Sequence, residues 1–218
     1  TPLDKSKARV HLGIPLTAEV AVWHGRISLD QKGLDILIGA WERICRSRPH
    51  ADLRLIVIGM GPDGEELDSI IRKSAVRGVG RINKWVHDTM LLRHYLGCAD
   101  LFLFASRYEG FPLAPMEAMA CGLPVVASAA SGMQDILKDG WNSGGVVVPC
   151  NDPDALAIEA IRLLENPAWR REVGRQARSR IQAMFSANAV GRQLADVFLR
   201  HDHMPHLSNN SELHMMNS

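Results

Sequence analysis

Two pairs of charged residues hold most of the chemistry in this chain. Glu109 and Glu117 stand eight positions apart in SRYEGFPLAPMEAMACGLPVV (106–126). Arg26 and Lys32 stand six apart in WHGRISLDQKG (23–33). Paired carboxylates cut glycosidic bonds when they flank the bond at about 5–10 Å. They also accept hydrogen bonds from sugar or ribose hydroxyls, or they are simply an exposed loop residue and an exposed helix residue. A rise of 1.5 Å per helical residue puts Glu109 and Glu117 roughly 8 Å apart along the axis. That spacing leaves all three readings open. Arg offers a planar fork that matches phosphate oxygens, and Lys a compact point charge. The plain alternative for Arg26 and Lys32 is a pair of solvated surface cations.

The elements that must position these groups are legible around them. LFLFAS (101–106) has strand character, Pro112 suits a first helical position, and Gly122 suits a helix stop. The expected order is strand, loop, helix, strand, with Glu109 in the loop and Glu117 in the helix. The helix start, Phe111 to Ala114, leaves backbone N–H groups without intrahelical partners at the positive end of the dipole, which favours an anion. A ligand with hydroxyls on both sides of a phosphate would use all of these features, and a nucleotide sugar has that layout. Pro115, read as the fourth helical residue, would remove the first intrahelical bond and crowd the Phe111 carbonyl, so a distorted first turn is expected.

Apolar runs predict strands near 20–24, 53–59, 79–83, 101–105, 123–127 and 145–148. Leu34, Leu37, Ile38, Trp41, Ile44 and Cys45 fall on one face of the helix after the first strand. Further helices are expected at 152–165, 167–184 and 186–200, with a short lead-in from Asp4 to Leu12. Repeated strand–helix units imply an α/β fold: a Rossmann-like parallel sheet with helices on both faces, followed by a helical C-terminal extension. Ligands of such sheets sit beyond the C-terminal ends of the strands, where both charged loops belong.

Composition narrows the field. The chain has 218 residues, 46% of them hydrophobic, with 25 basic and 24 acidic side chains. That balance gives no reason to expect nucleic acid as a partner. Cys45, Cys98, Cys121 and Cys150 are scattered without a C-x-x-C, as buried thiols of a reducing, cytoplasmic compartment would be. No apolar run reaches the length of a membrane span.

Several motifs carry a sharper and a blander reading. Gly59-Met-Gly-Pro-Asp-Gly64 fits the dinucleotide fingerprint, but no acid is placed for a ribose after the next strand, and a tight turn suffices. Asp152-Pro-Asp154 mimics a metal-binding D-x-D; an Asp N-cap followed by Pro explains it better. His24 is either a ligand contact or a packed strand-end histidine. The stretch 168–192 carries Arg170, Arg171, Arg175, Arg178, Arg180 and Arg192 against Glu172 alone. A solvated helix face is the default there, and attraction to anionic lipid headgroups the sharper reading.

The block E-G-F-P-L-x-x-x-E-A-M-A-C-G-L-P-V-V resembles the E-x7-E signature of the retaining GT-B glycosyltransferases of family 4. The likeness runs from about Val20 to Leu199. It takes in WHGRISLDQKGLDILIGAW (23–41), LRLIVIGMGP (53–62), GCADLFLFAS (97–106) and VVVPCNDPDALA (146–157). It covers only the second half of such an enzyme. The resemblance implies a donor-binding domain over 1–200 and an acceptor domain absent from the chain; the terminal stretch 201–218, rich in His, Met, Asn and Ser, reads as a disordered tail. It implies hexose transfer from a nucleoside-diphosphate sugar to an acceptor hydroxyl, with retained configuration and with no metal or other cofactor.

In that pattern Arg26 and Lys32 hold the diphosphate and, with Glu109 on the donor sugar, form the catalytic set. Glu117 takes the ribose. Gly25 and Gly110 belong to the donor- and nucleotide-binding set, and the backbone of Phe111, Pro112, Leu113 and Ala114 meets the phosphates. The loop Asn83 to Val86 receives the base, with Trp85 either stacking on it or packing in a core or between domains. The acceptor, a glycan or lipid, would be bound by the missing half, with peripheral contact to the inner face of a membrane as a further expectation. This part alone is expected to be inactive and to bind donor at about millimolar strength at best, since binding first offsets about 4–15 kcal/mol of lost rigid-body freedom. Rival readings are a sugar-nucleotide epimerase of the same fold, a hydrolase using the two Glu residues, and a non-catalytic binding module.

Overall fold

The computed structural model describes residues 2–201, with side chains to 199. The tail expected to be disordered from residue 201 lies outside the described residues, apart from the backbone of His201. Lead-in helix α1 (Lys5–Leu12) is capped by the Asp4 carboxylate, which accepts from the Lys7 N–H. The strands are β1 (Glu19–His24), β2 (Leu53–Ile58), β3 (Val79–Ile82), β4 (Leu101–Phe104), β5 (Val125–Ser128) and β6 (Gly145–Val148). All six predicted strands are present, with no end shifted by more than two residues. Between and after them run α2 (Leu29–Lys32), α3 (Leu34–Ser47), α4 (Gly64–Lys73), α5 (Thr89–Cys98), α6 (Leu113–Ala120), α7 (Met133–Ile136), α8 (Pro153–Glu165), α9 (Pro167–Arg180) and α10 (Ala187–His201). A short π-helix, Ile181–Phe185, joins the last two.

The strands form one parallel sheet in the order β3-β2-β1-β4-β5-β6. The inner strands β2, β1, β4 and β5 are buried almost throughout, which is why they read as continuous apolar runs; the edge strand β3 is not. One core layer sets Trp23, Leu55 and Leu103 against α3 and α8; the other sets Val22, Phe102 and Val125 against helices of the opposite face. The six residues predicted for one face of α3 are all buried there. Strand order reverses between β1 and β4, where Ala21 pairs with Leu101 and Val22 with Phe102. A crevice must open at that reversal, because the two flanking connections leave in opposite directions.

Asp100, at the entry to β4, ties the other end of the sheet together. Its carboxylate is 3% exposed and meets Lys5 Nζ at 2.8 Å, Arg9 at 2.8 Å and Arg170 at 3.0 Å. It also accepts from the Val20 N–H at 2.8 Å. The arginine-rich stretch is therefore not a uniform solvated face. Arg170 turns in to Asp100, Arg178 donates to the Ala120 carbonyl, and Arg180 donates to the carbonyls of Asp135 and Ile136. Arg171, Arg175 and Arg192 remain exposed. Val190, Leu194, Val197 and Phe198 of α10 are 40–68% exposed.

Removing one member of a buried charge cluster leaves the others uncompensated. Asp100→Ala should lower the unfolding free energy by about 3–5 kcal/mol, read from urea midpoints. A loss below about 1 kcal/mol would contradict this role. Burial pushes the Asp100 carboxyl up, but Lys5 and Arg170 outweigh it and hold its pKa below the usual value. Its contribution is thus present above the ordinary carboxylate range and lost as pH falls through the depressed value. Acid unfolding of the wild type should show this loss, and Asp100→Ala should flatten it.

Candidate functional site

The loop after β1 is held in place before any ligand arrives. Gly25 N–H donates to Ile58 O and Ile27 N–H to Met60 O. Asp63 accepts from the Leu29 N–H at 2.7 Å and so caps α2 from outside its own sequence. The apparent dinucleotide fingerprint has this packing role. A Cβ on Gly59 would stand 1.8 Å from Gly25 O, and one on Gly61 1.9 Å from Ile27 O. Gly33 ends α2 with φ +58°, and a Cβ there would meet Ala105 O at 2.1 Å. Lys32 is thereby pressed against the end of β4.

Arg107, which the sequence did not single out, locks this arrangement. Its guanidinium donates to Leu29 O at 2.7 Å and Asp30 O at 3.1 Å, and it pairs with Asp35 at 2.7 Å. Its Nε donates to Asn151 at 2.6 Å, and its own N–H to Gln31 O at 2.9 Å. The Asp35 hydrogen bond raises its pKa further. One side chain thus fastens the β1 loop, α3, the β4 loop and the turn before α8. The only sequence signal was an Arg two residues before Glu109.

Lys32 Nζ meets both oxygens of Glu109, at 2.8 and 2.9 Å. The two side chains are 17% and 7% exposed. They line a cavity of about 170 Å³ with His24, Gly25, Phe111, Pro112, Leu113 and Ala114, all on the strand-end side of the sheet. Arg26 is exposed, lies outside that lining and makes no hydrogen bond or ion pair among the described residues. Gly110 is exposed, with open space around a notional Cβ.

The start of α6 departs from expectation in two ways. Pro112 precedes the helix as its cap residue, with φ −83° and ψ 85°. Leu113 N–H turns back to Phe111 O at 3.0 Å, closing an inverse γ-turn. Pro115 is then the third helical residue, where its missing N–H had no intrahelical partner to lose. Pro115 therefore removes no intrahelical bond, and the irregularity of this helix start is the γ-turn at Pro112. The stop is a Schellman turn: Gly122 has φ 83°, Gly122 N–H donates to Met119 O, and Leu123 N–H to Ala118 O.

Glu117 is 53% exposed and lies outside the Lys32–Glu109 cavity. Its neighbour is His24, with Nε2 3.4 Å from Glu117 Oε2. Burial lowers the His24 pKa to about 4, against a smaller opposing effect of the Ala114 backbone. Burial also raises the Glu117 carboxyl. His24 is neutral near pH 7, so the pair is not an ion pair. A second hollow, about 70 Å³, joins His24 and Gly25 to Lys84, Trp85 and Val86. Trp85 is 51% exposed, which removes it from the core, whereas Val86 packs against the core. Asp152 caps α8 by accepting from Ala155 N–H, with Pro153 first in the helix. Among the described residues no cluster of three metal-ligating side chains occurs, and no helix is long and apolar enough to cross a membrane.

The geometry therefore defines a Rossmann-like half of the GT-B type, with a charged crevice at the strand-order reversal. The family model for "Glycosyl transferases group 1" matches residues 18–166, and the chain belongs to that family. A D-inositol 3-phosphate glycosyltransferase of Kineococcus radiotolerans is 33% identical over 210 residues, covering 90% of this chain and 47% of that protein. A GDP-mannose-dependent monoacylated alpha-(1-6)-phosphatidylinositol monomannoside mannosyltransferase of Corynebacterium glutamicum is 30% identical, covering 90% and 51%. Sucrose-phosphate synthase from Thermosynechococcus elongatus matches in structure with a TM-score of 0.76 at 29% identity, over 92% of this chain and 49% of that one. The chain thus spans about half the length of these relatives.

If Arg107 fastens the loop after β1, Arg107→Ala should speed amide exchange at Lys32 and Gly33 by at least about tenfold. Exchange in β1 should change much less. Equal acceleration throughout the sheet would show that Arg107 supports the fold and not this loop.

Proposed function

We propose that this chain is the donor-binding part of a glycosyltransferase that moves a hexose from a nucleoside diphosphate to an acceptor hydroxyl, with the anomeric configuration retained. One observation carries the reading: the Lys32 ammonium and the Glu109 carboxylate share a single cavity with the start of α6. A cation and a helix start suit the diphosphate, and a buried carboxylate suits sugar hydroxyls. The printed name of the C. glutamicum relative, a GDP-mannose-dependent enzyme, supports a nucleotide-sugar donor.

The roles follow from the chemistry of each group. Lys32 and the N–H groups of the first α6 turn that the Phe111 carbonyl does not engage bind the diphosphate. Arg26, exposed and without a partner among the described residues, folds onto its outer face. As the glycosidic bond breaks, negative charge grows on the leaving diphosphate, and these groups lower the barrier by being in place beforehand. Glu109 orients the sugar, which converts binding into alignment of the reacting centre. Glu117 accepts from the ribose, and Trp85 offers a face to the base. In this reading the charge a metal would supply comes from Arg26 and Lys32. The acceptor, a glycan or lipid hydroxyl, is presented by a further domain, and the arginines that stay exposed on α9 give any anionic membrane surface its contact.

Glu109→Gln, made in a chain that includes the acceptor-binding half, should cut turnover at least about a hundredfold and leave the thermal midpoint within a few degrees. Near-normal turnover would remove Glu109 from the mechanism. The 218-residue chain alone should bind UDP-, GDP- or ADP-hexoses no more tightly than about millimolar. Calorimetry showing micromolar affinity would contradict the need for a second half.

A further inference from the structure

His24 stands where the two hollows meet, and nothing assigned above uses it. It is the last residue of β1, at the reversal in strand order. It lines both the cavity with Lys32 and Glu109 and the smaller hollow with Lys84 and Trp85. Its ring packs edge-on against Phe102, with centroids 5.5 Å apart. That contact accounts for the ring but not for its polar edge. His24 Nε2 is buried and, although the Ala114 backbone is near enough to raise its pKa, it makes no hydrogen bond of good geometry among the described residues. Buried ring nitrogens are normally satisfied, so an exception calls for a cause. The nearest carboxylate is Glu117, whose Oε2 lies 3.4 Å away, outside good hydrogen-bond geometry. Site hydrogen bonds are often long in an empty pocket and tighten when the ligand arrives.

The neutral state matters. A protonated imidazole would attract Glu117 strongly whatever filled the site. A neutral one, kept so by burial, offers one directional N–H and no net charge. It can fix the carboxylate's orientation without removing its capacity to accept from a ligand. Glu117 is half-exposed and carried on α6, free to rotate unless something holds it.

We propose that His24 is a positioning residue for Glu117: its Nε2–H donates to the carboxylate and aims it at the paired hydroxyls of a ribose. This rests on the nucleotide-sugar reading above. The location agrees, since a ligand joining the Lys32 cavity to the Trp85 hollow must cross His24, and the ribose is the part of a nucleotide between phosphate and base. His24 would then help distinguish ribonucleotides from 2′-deoxyribonucleotides.

The test is an NMR titration of the 218-residue chain with UDP, GDP and ADP and with the 2′-deoxy form of whichever binds best. The wild type should prefer the ribonucleotide at least about fivefold, as the loss of one hydrogen bond to a charged group requires. His24→Val should weaken the ribonucleotide at least fivefold and leave the 2′-deoxy form within twofold. His24→Gln, whose amide can donate from a similar position, should restore most of the preference. In a Glu117→Gln background, His24→Val should add little, because the two residues act as one unit. Wild-type preference retained in His24→Val overturns the inference. Equal weakening of both nucleotides does so too, since it marks a packing role. A wild type that binds none of the three overturns the nucleotide reading itself, and the inference with it; the wild-type arm separates that failure from the others.

Discussion

The Lys32–Glu109 ion pair is the constraint around which the crevice is organised. It joins two loops that are 77 residues apart in sequence, at the one place where the sheet's connections diverge. Neither partner is free to move. Lys32 ends a helix whose Gly33 lies against the end of β4, and Glu109 sits in a loop that begins at the Arg107 clamp. A pair this sheltered is poorly screened, so the attraction between the two charges is little weakened by salt. In the proposed reading, a diphosphate entering the cavity would compete with Glu109 for the ammonium. Part of the attraction is therefore already used inside the protein, one physical reason to expect weak donor affinity from this chain alone.

The two ends of the sheet show different electrostatic designs. At the strand entries, Asp100 gathers Lys5, Arg9 and Arg170 in a hollow of about 910 Å³. Those cations are engaged, and the result is structural: α1, α9 and the start of β1 are tied to one carboxylate. At the strand exits, cavities are small, glycines let backbones approach closely, and Arg26 has no partner among the described residues. The larger hollow is thus a poorer candidate for chemistry than the smaller one. Size follows from how helices α1 and α9 splay around Asp100; chemistry follows from which charges remain available.

Much of this was legible in the sequence. Strands buried on both faces leave unbroken apolar runs, and α3 leaves its six-residue stripe, because burial is read directly from side-chain type. The Asp152 cap and the Gly122 stop were legible for the same reason, as each depends on one residue and its immediate neighbours. Lys32 and Glu109 could be placed at the same rim from topology alone. What stayed hidden depends on several distant segments at once. Arg107 bonds to three segments outside its own loop, and no local pattern marks it. The γ-turn at Pro112 moved the helix start by one residue and turned Pro115 from a distortion into a neutral choice. The inward turn of Arg170, Arg178 and Arg180 required knowing where Asp100, Ala120 and Ile136 would lie.

The central claim is that donor phosphates and sugar occupy the cavity between Lys32, Glu109 and the start of α6. Backbone amide shifts followed during titration with UDP-, GDP- and ADP-hexoses test it most directly. The account predicts that the largest changes fall on Gly25, Lys32, Gly33, Glu109 and the Leu113 and Ala114 amides. The residues around Asp100 should stay unmoved. Changes centred on Lys5, Arg9 and Arg171, with the strand-exit loops silent, would contradict it.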